Sequence, residues 1–438
     1  MEIKIPSEVT EITTRLEQSG YKAFCVGGAV RDSVMGILPG DWDITTSAKP
    51  EETQKIFKDY KTVDTGLKHG TLTIIINHKP FEVTTFRIDG EYGDNRHPEK
   101  VEFTPDLKND LARRDFTINA LAYNPDTGIV DLYGGQDDIY NSIIRTVGNP
   151  DKRFNEDGLR IMRALRFSSV LGFEIEKETA KAIHKNKDLL KNISAERIAV
   201  ELTKLVCGKN AFNVLMEYAD VLSVFIPEIA TAINFTQFGE KHAYDVWEHI
   251  CHTVDTIPQD RILRLTMLLH DLGKIPTHKL DENGNSTFKN HATIGGDMAR
   301  EILTRLKFDK KTINRVSFLV ADHDFEPPLS KTDLKKHLKT KTIEDIKTLL
   351  IIKKSDRGAL SESYRDISEG TAQTLRWLDE IERNNECCTI NQLAVNGNDL
   401  IAQGITGEKV GETLNYLLDS VIEEKVTNDK SALLTYLL

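Results

Sequence analysis

The chain has little cysteine: five residues in 438, and no two of them stand in a Cys-x-x-Cys pair. So few cysteines in so long a chain argue against the disulfide framework of a secreted protein. We therefore expect reduced thiols and a cytoplasmic location. The five are Cys25, Cys207, Cys251, Cys387 and Cys388.

Long apolar runs are also missing. No segment approaches the roughly 18 apolar residues that a membrane-spanning helix needs. The opening segment, MEIKIPSEVTEITTRLEQSG, lacks the apolar core of a signal peptide. We therefore expect no membrane partner.

An excess of positive charge is the third absence. The net charge is -11, which argues against a protein that coats nucleic acid without specificity. It still allows a local basic strip, so the arginines have to be considered by position. With 39% hydrophobic and 29% charged residues, the composition is that of a globular protein.

Hydrophobic periodicity changes along the chain. Strands and helices alternate over the first 145 residues, whereas helical patterns dominate from about residue 150 onward. The length alone suggests two to four domains. We predict four segments: 1–145, 146–210, 211–360 and 361–438.

One stretch of the first segment, GGAVRDSVMGILPGDWDITTS, joins a glycine turn to two spaced carboxylates. Because strand side chains alternate, Asp41 and Asp43 should share one face and offer oxygen ligands to divalent metals. Gly28 lets backbone amides approach a phosphate, and Arg31 adds a cation. Either feature alone is also typical of a plain turn or an exposed strand edge, but their combination indicates metal-dependent nucleotidyl transfer.

At these residues the sequence resembles the class II tRNA nucleotidyltransferase and poly(A) polymerase family. GGAVRD and DWDITTSA match its first motif. Further stretches resemble, in order, its sugar-binding, hinge, nucleobase and bracing-helix motifs: DLARRDFTINALAY (110–123), DLYGGQDDI (131–139), NEDGLRIMRALRF (155–167) and ISAERIAVEL (193–202). The resemblance implies a nucleotidyltransferase head with a five-stranded sheet and a helical neck. It also gives Arg114 a position that contacts the nucleotide.

The nucleobase motif also has a chemical interpretation. On a helix, Asp157 and Arg160 would be neighbours, one only accepting hydrogen bonds and the other only donating them. Cytosine and adenine offer the complementary amino group and ring nitrogen, whereas uracil and guanine present the opposite polarity. Arg163 and Arg166 would extend a basic stripe for triphosphate or RNA. An ordinary helix with surface ion pairs has the same spacing. The family resemblance favours the other interpretation, in which Asp157 and Arg160 act as a protein template that selects C and A.

The segment DGEYGDNRHPEK (89–100) is predicted to be a loop. In the family, enzymes that add only CC lack an intact flexible loop at this place. The loop is complete in this sequence, which favours addition of full CCA, or of A alone.

A second set of polar residues lies in the third segment. Histidine and aspartate in the stretches DVWEHICH, LLHDLGK, KNHAT, ADHDFE and KKSDRG resemble the ligands of the HD phosphohydrolase superfamily. By this resemblance four residues match the shared ligands: His249, His270, Asp271 and Asp356. His291 and His323 match the extra ligands of two-metal members. Such mixed sets suit divalent metals that activate water.

Taken together, the resemblances imply a multidomain fold: an α+β nucleotidyltransferase head, then an all-helical neck, an HD body and a helical tail that contacts tRNA. The implied activity is untemplated addition of C, C and A to tRNA from CTP and ATP, with Mg²⁺ at the head. A divalent metal of unassigned identity would sit at the HD site, which is either a phosphatase or 2′,3′-cyclic phosphodiesterase or a relict.

Three alternatives stay open at this point. An enzyme that adds only the terminal A, or a poly(A) polymerase, would share the same motifs, although a poly(A) polymerase should carry a long basic C-terminal region and this tail is mixed in sign. From another class, an HD phosphohydrolase could use the head only for binding. The pair Asp41 and Asp43 argues against that, because binding alone needs no metal ligands.

Overall fold

A computed structural model describes residues 2–64, 66–67, 70–90 and 101–437. The loop predicted over 89–100 lies almost wholly outside the described residues. The chain forms two compact units: Met1–Thr231 with Ile302–Asp309, and Ala232–Glu301 with Lys310–Leu438. The four finer segment boundaries remain predictions.

A mixed sheet forms the centre of the first unit. Its described strands follow the order β3-β4-β5-β2-β1-β8-β9, and only β2 and β5 are parallel. The strands are β1 (Ala23–Val26), β2 (Asp43–Thr46), β3 (Lys61–Val63), β4 (Thr71–Ile76), β5 (Lys79–Thr85), β6 (Arg87–Asp89), β7 (Val101–Phe103), β8 (Leu121–Asn124) and β9 (Gly128–Asp131). Strands β6 and β7 pair separately.

The five-stranded sheet implied by the family resemblance is wrong for this chain, because the described sheet has seven strands. The sequence LAYN, which forms β8, is buried at all four positions. It therefore lacks the alternation that reveals a strand in the sequence. Strands β4 and β5 form a hairpin whose turn lies at Asn77 and His78, both with positive φ.

Helices cover the sheet and continue into the neck. They are α1 (Ser7–Gln18), α2 (Gly28–Val34), α3 (Pro50–Ile56), α4 (Leu107–Ala112), α5 (Gly135–Tyr140), α6 (Pro150–Glu156), α7 (Leu159–Leu171), α8 (Lys177–Asn186), α9 (Ala195–Val206), α10 (Ala211–Glu217), α11 (Ala219–Leu222) and α12 (Glu228–Ala232). The core joins helix and sheet residues such as Leu16, Ile44 and Leu72, each with no more than 1% of its surface exposed. Each such side chain stabilises the fold by about 1.5–3 kcal/mol relative to exposure.

The neck departs from the sequence prediction in two ways. The single helix predicted over 155–167 is interrupted, because Asp157 is extended and its carboxylate accepts the N–H of Leu159. Such a local bond competes with the helical ladder, so α6 ends and α7 begins there. The neck is also not all-helical, since β10 (Ile143–Ile144) pairs with β11 (Glu174–Ile175).

The rest of the described chain is mainly helical, with one short hairpin of β12 (Lys279–Leu280) and β13 (Ser286–Thr287). Its helices are α13 (Val246–Thr256), α14 (Arg261–Leu269), α15 (Lys274–Thr277), α16 (His291–Arg305), α17 (Lys310–Ala321), α18 (Lys331–Leu338), α19 (Ile343–Gly358), α20 (Ser368–Arg383), α21 (Gly397–Ala402), α22 (Lys409–Ile422) and α23 (Lys430–Tyr436). Within the described ranges, no helix is long and apolar enough to cross a bilayer. All five cysteines are free thiols.

Gly273 permits a close approach between α15 and α16. A Cβ atom at this position would overlap the carbonyl oxygen of His291 and lie 2.7 Å from the amide nitrogen of Gly295. We expect Gly273→Ala to lower the free energy of unfolding by about 1–3 kcal/mol, because both obstacles are backbone atoms. Urea denaturation measures this change.

The matched control is Gly411→Ala in α22, where a Cβ atom meets no described atom within 4 Å. Replacing an exposed helical glycine by alanine is neutral or stabilises by up to about 1 kcal/mol. If both variants have the same urea midpoint as the parent protein, the close backbone contact at Gly273 does not contribute to the free energy of unfolding.

Candidate active sites

The first candidate site lies at the start of β2. Asp43 is the first residue of this strand and is exposed, while Trp42 and Ile44 on either side are buried. Asp41 precedes the strand and is exposed as well. The predicted alternation of Asp41 and Asp43 against Trp42 and Ile44 is therefore present.

A third carboxylate stands beside Asp43. In the parallel ladder of β2 and β5, Glu82 is the residue opposite Asp43. Sequence reasoning missed Glu82 because FEVTT shows only a polar residue between buried neighbours. Only the pairing of β2 with β5 places Glu82 beside Asp43, and this pairing cannot be inferred from the local sequence.

The electrostatics of Asp43 fit a cation site. Asp43 keeps access to solvent, but protein atoms around its carboxyl group reduce its hydration, and this desolvation, together with the negative charges of Glu82 and Asp41, raises the pKa of Asp43. Arg114 opposes the rise. Carboxylates that converge and repel one another supply the hard oxygen ligands that Mg²⁺ prefers.

These residues open into a cavity of about 330 Å³. Its lining combines carboxylates with arginines: Val26, Asp43, Ile44, Thr71, Glu82, Thr84, Arg87, Arg113, Arg114, Asp115, Asp157, Arg160 and Arg163. The structure thus brings Asp43, Arg114, Asp157, Arg160 and Arg163 together. Four predicted site residues are not in the lining: Gly28, Arg31, Asp41 and Arg166.

Arg31 is held away from this lining by two side chains. Its guanidinium donates to Asp32 Oδ1 at 2.7 Å and to Asn119 Oδ1 at 2.7 Å, and 8% of its surface is exposed. The turn before it depends on Gly27, whose φ is +72° and whose Cβ would come within 3.0 Å of Arg114 Nη1. Gly27 thus lets the chain turn in direct contact with Arg114.

Asp157 and Arg160 both line the cavity, and each is held by other residues. Arg197 Nη2 donates to Asp157 Oδ2 at 3.0 Å. Arg160 donates to Glu156 Oε2 at 2.7 Å and to the carbonyl oxygen of Arg113 at 2.9 Å. Glu156 and Arg197 thereby fix the two groups that the sequence predicts to contact a base.

The predicted basic stripe is paired with carboxylates. Arg163 Nη2 lies 2.6 Å from Asp115 Oδ2, and Arg166 Nε donates to Glu201 Oε2 at 2.8 Å. Burial would raise the pKa of Asp115, but Arg163 and Asn119 outweigh it and hold the pKa at about 2. The stripe is therefore an ion-pair network, in which only Arg163 reaches the cavity.

The second candidate site gathers all six predicted histidines and aspartates. They come from α13, the end of α14, α16, the end of α17 and α19. The potential ligand atoms form two groups, each within 4.8 Å: His249, His270, Asp271 and Asp356, and Asp271, His291 and His323. Asp271 belongs to both groups.

The histidines of this cluster all point the same ring nitrogen toward a backbone carbonyl. Their Nδ1 atoms lie at 3.3, 2.7, 2.8 and 2.7 Å from the carbonyl oxygens of Ala359, Met267, Phe288 and Val320, for His249, His270, His291 and His323 respectively. A carbonyl only accepts, so Nδ1 carries the proton and Nε2 presents a lone pair. This is the arrangement of metal-binding histidines.

The lone pairs face one another and the carboxylates. His291 Nε2 lies 3.2 Å from His323 Nε2, and His249 Nε2 lies 3.0 Å from Asp356 Oδ1. Asp271 Oδ1 and His270 Nε2 are buried without a hydrogen-bond partner among the described residues. Burial lowers the pKa of His270, but Asp271 and then Asp356 outweigh it and raise the pKa to about 10, so a divalent cation that binds here would displace a proton from Nε2. The donor set therefore fits divalent cations.

Two residues that sequence reasoning missed join this cluster. Lys274 Nζ lies 2.6 Å from Asp271 Oδ2, and Asp324 Oδ2 lies 3.5 Å from His291 Nε2. Both line a cavity of about 470 Å³ above the cluster. Their proximity to predicted ligands in HDLGK and HDF was the available signal.

Comparison with known proteins adds family evidence. Three family models match consecutive parts of the chain: the poly A polymerase head domain at residues 23–145, a probable RNA and SrmB-binding site of polymerase A at 172–233, and the putative tRNA nucleotidyltransferase domain 2 at 287–437.

One relative matches over nearly the whole length and another over about half of this chain. The CCA-adding enzyme of Geobacillus kaustophilus is 33% identical over 440 residues, covering 98% of this chain and 95% of that protein. The enzyme of Ligilactobacillus salivarius is 44% identical over 254 residues, which span 62% of its length. The crystal structure of the Bacillus stearothermophilus CCA-adding enzyme in complex with CTP has a TM-score of 0.74 and 31% identity, covering 99% of this chain and 97% of that one. The predicted family resemblance is confirmed, and the chain belongs to the CCA-adding enzyme family of tRNA nucleotidyltransferases.

Proposed function

We propose that this protein adds C, C and A to the 3′ end of tRNA, using CTP and ATP and no nucleic-acid template. One observation carries the proposal: the carboxylates Asp43 and Glu82 line the same cavity as Asp157 and Arg160. One pair suits phosphoryl chemistry and the other suits base selection. The relative from Bacillus stearothermophilus was solved with CTP, which supports the same substrate here.

The carboxylates and arginines divide the work of the transfer. Asp41, Asp43 and Glu82 would hold two Mg²⁺ ions, which when bound lower the pKa of the primer hydroxyl and neutralise the triphosphate. Arg114 lies against the glycine turn and is placed to orient phosphate oxygens. The primer 3′-oxygen bonds to the α-phosphorus while the bond to pyrophosphate breaks, so no covalent enzyme intermediate is required.

Base selection would follow from the unused hydrogen-bonding capacity of the pair. A carboxylate has about four lone-pair sites, and Asp157 gives some of them to Leu159 N–H and Arg197. The remaining acceptor suits the amino group of cytosine or adenine. Arg160 donates toward the ring nitrogen beside it, whereas a carbonyl of uracil or guanine would face Asp157 with the wrong polarity.

Asp157→Asn should relax this selection, because an amide can donate to the uracil carbonyl. We expect the ratio of kcat/KM for UTP over CTP to rise by about 10- to 100-fold, which corresponds to one misplaced hydrogen bond in a closed site. Single-nucleotide incorporation on a tRNA primer measures the ratio. Asp151→Asn in α6 is the control, because Asp151 pairs with Lys185 outside the cavity lining. An unchanged ratio in both variants would contradict the template.

Primer extension tests the whole activity. Three primers are incubated with Mg²⁺ and with CTP, ATP or both: tRNA ending at the discriminator base, tRNA ending in CC, and an unstructured RNA. Addition of CC followed by one A to the first primer is the expected result. One A on the CC primer alone would indicate an A-adding enzyme, long A tails a poly(A) polymerase, and no extension would overturn the proposal.

A second activity is proposed for the His/Asp cluster: metal-dependent hydrolysis of phosphate monoesters or 2′,3′-cyclic phosphates. The observation that favours it is the pair of ligand groups sharing Asp271 at the base of an open cavity. The bound metals would supply an activated water. Such an activity would repair damaged tRNA 3′ ends before CCA is rebuilt.

The proposed substrates also bear on location. CTP, ATP and tRNA meet in the cytoplasm, and all five cysteines are unpaired thiols. Both points support a cytoplasmic enzyme.

A further inference from the structure

Two lysines share the cavity of the His/Asp cluster. Lys241 and Lys289 line it, both are exposed, and their side chains form no ion pair among the described residues. Other lysines of the same unit are neutralised: Lys335 lies 2.5 Å from Glu386 and Lys353 lies 3.0 Å from Glu326. The cavity thus presents two uncompensated cations.

The two lysines flank one aromatic contact. Lys241 precedes His242 and Lys289 follows Phe288, and these two rings meet edge to face with centroids 5.9 Å apart. The contact brings both chain segments to the same part of the cavity, at a distance in sequence of more than forty residues. Planar rings at this point suit a nucleobase or the ribose beside it.

His242 has an unused polar atom in this region. Its Nδ1 is buried and has no hydrogen-bond partner among the described residues. Burial, reinforced by the positive charges of Lys274 and Lys241, lowers the pKa of His242 to about 4. The ring is therefore neutral at pH 7, so the lysines rather than His242 would bind the negative charge of a ligand.

The two unpaired lysines are available to a second phosphate. Lys274 is already neutralised by Asp271 at 2.6 Å, so it leaves little charge for a ligand. A single phosphate at the metal ligands would leave Lys241 and Lys289 unpaired in the same cavity. A second phosphate one nucleotide away would pair with them.

We infer that this pocket accepts a ribonucleotide substrate with two phosphates, the scissile one at the His/Asp cluster and the other against Lys241 and Lys289. This inference rests on the hydrolase proposed above for the same cluster. Two sources carry this chemistry: an RNA 3′ end with its last phosphodiester, and a free nucleoside bisphosphate. With a 2′,3′-cyclic phosphate, water forms a new P–O bond, one ribose P–O bond breaks, and that ribose oxygen takes up the proton.

Hydrolysis of matched substrates tests the second phosphate. We expect kcat/KM for a dinucleotide ending in a 2′,3′-cyclic phosphate to exceed that for 2′,3′-cyclic AMP by about 10-fold, the worth of one charge-assisted contact. In the Lys241→Ala/Lys289→Ala double variant the ratio should fall toward one. Lys354→Ala, an exposed lysine of α19 outside the cavity lining, should keep the parent ratio.

Equilibrium binding gives a readout independent of turnover. Calorimetry with the Mn²⁺-loaded full chain compares adenosine 3′,5′-bisphosphate with 3′-AMP. The bisphosphate should bind about 10-fold more tightly to the parent protein and equally to the double variant. Any binding at the head is common to both proteins and cancels in the comparison.

The possible outcomes distinguish a failure of the two-phosphate pocket from a failure of the proposed hydrolase activity. Equal hydrolysis of the two cyclic phosphates together with equal binding of the two nucleotides would overturn the second subsite and leave the hydrolase standing. No hydrolysis and no bound metal would overturn both. A stronger preference for the dinucleotide supports an RNA end, and one for the free bisphosphate supports a nucleotide; both uphold the two-phosphate pocket.

Discussion

Asp43→Asn is expected to lower the rate of nucleotide addition by about a thousandfold or more, for both C and A. Asp43 stands beside Glu82 and near Asp41, and its carboxyl pKa is raised by partial loss of hydration next to protein atoms and by these two charges. Replacing it by an amide removes a negative charge where the triphosphate and its cations would have to be held. A loss of several kcal/mol of transition-state stabilisation corresponds to that factor.

The substitution should leave the fold intact, because Asp43 is exposed and starts its strand. Asp126→Asn is the matched control: it lies exposed in the turn between β8 and β9 of the same sheet. Steady-state incorporation of CTP and ATP is measured for both, with thermal unfolding alongside. Activity of Asp43→Asn within tenfold of the parent would contradict the assignment of this carboxylate.

Asp271→Ala should remove hydrolysis of 2′,3′-cyclic phosphates altogether while CCA addition continues at the parent rate. Asp271 is the residue that both ligand groups share, so its loss disrupts both at once. It also leaves the buried Lys274 unpaired, so Asp271→Asn, which keeps the shape, is tested beside it. Removing one metal ligand costs several kcal/mol of transition-state stabilisation.

Two measurements accompany the rates. Metal content of the purified variants should fall from that of the parent protein, and primer extension should not change. Asp297→Asn on α16, the helix that carries His291, serves as the control because Asp297 is exposed. Hydrolysis that survives His270→Ala and Asp271→Ala would exclude this cluster as its source.

The sequence was sufficient where chemistry depends on local spacing. Asp41 and Asp43 are two residues apart on extended chain, so their shared face follows from backbone geometry alone. The six His and Asp residues of the second site were found by their order along the chain. Five helices pack around one point to bring these residues together. This packing is tertiary structure, which cannot be inferred from any single motif.

The sequence was insufficient where a partner comes from far along the chain. Glu82 meets Asp43 only through pairing of β2 with β5, and Asp115 neutralises Arg163 from 48 residues away. The helix predicted through Asp157 failed because a side chain competed with the backbone for one N–H group. Helical periodicity describes which residues are apolar and carries no information on such a competition.

The parallel pairing of β2 and β5 also has a consequence for how the protein matures. The hairpin of β4 and β5 closes through a two-residue turn at Asn77 and His78, so it can form early from local contacts. Joining it to β2 closes a loop of 39 residues, which is a slower and less local event. We therefore expect the carboxylate cluster to appear late in folding, after synthesis has passed residue 85. By the function proposed above, a nascent head would gain its site for nucleotide and magnesium only once that strand is in place.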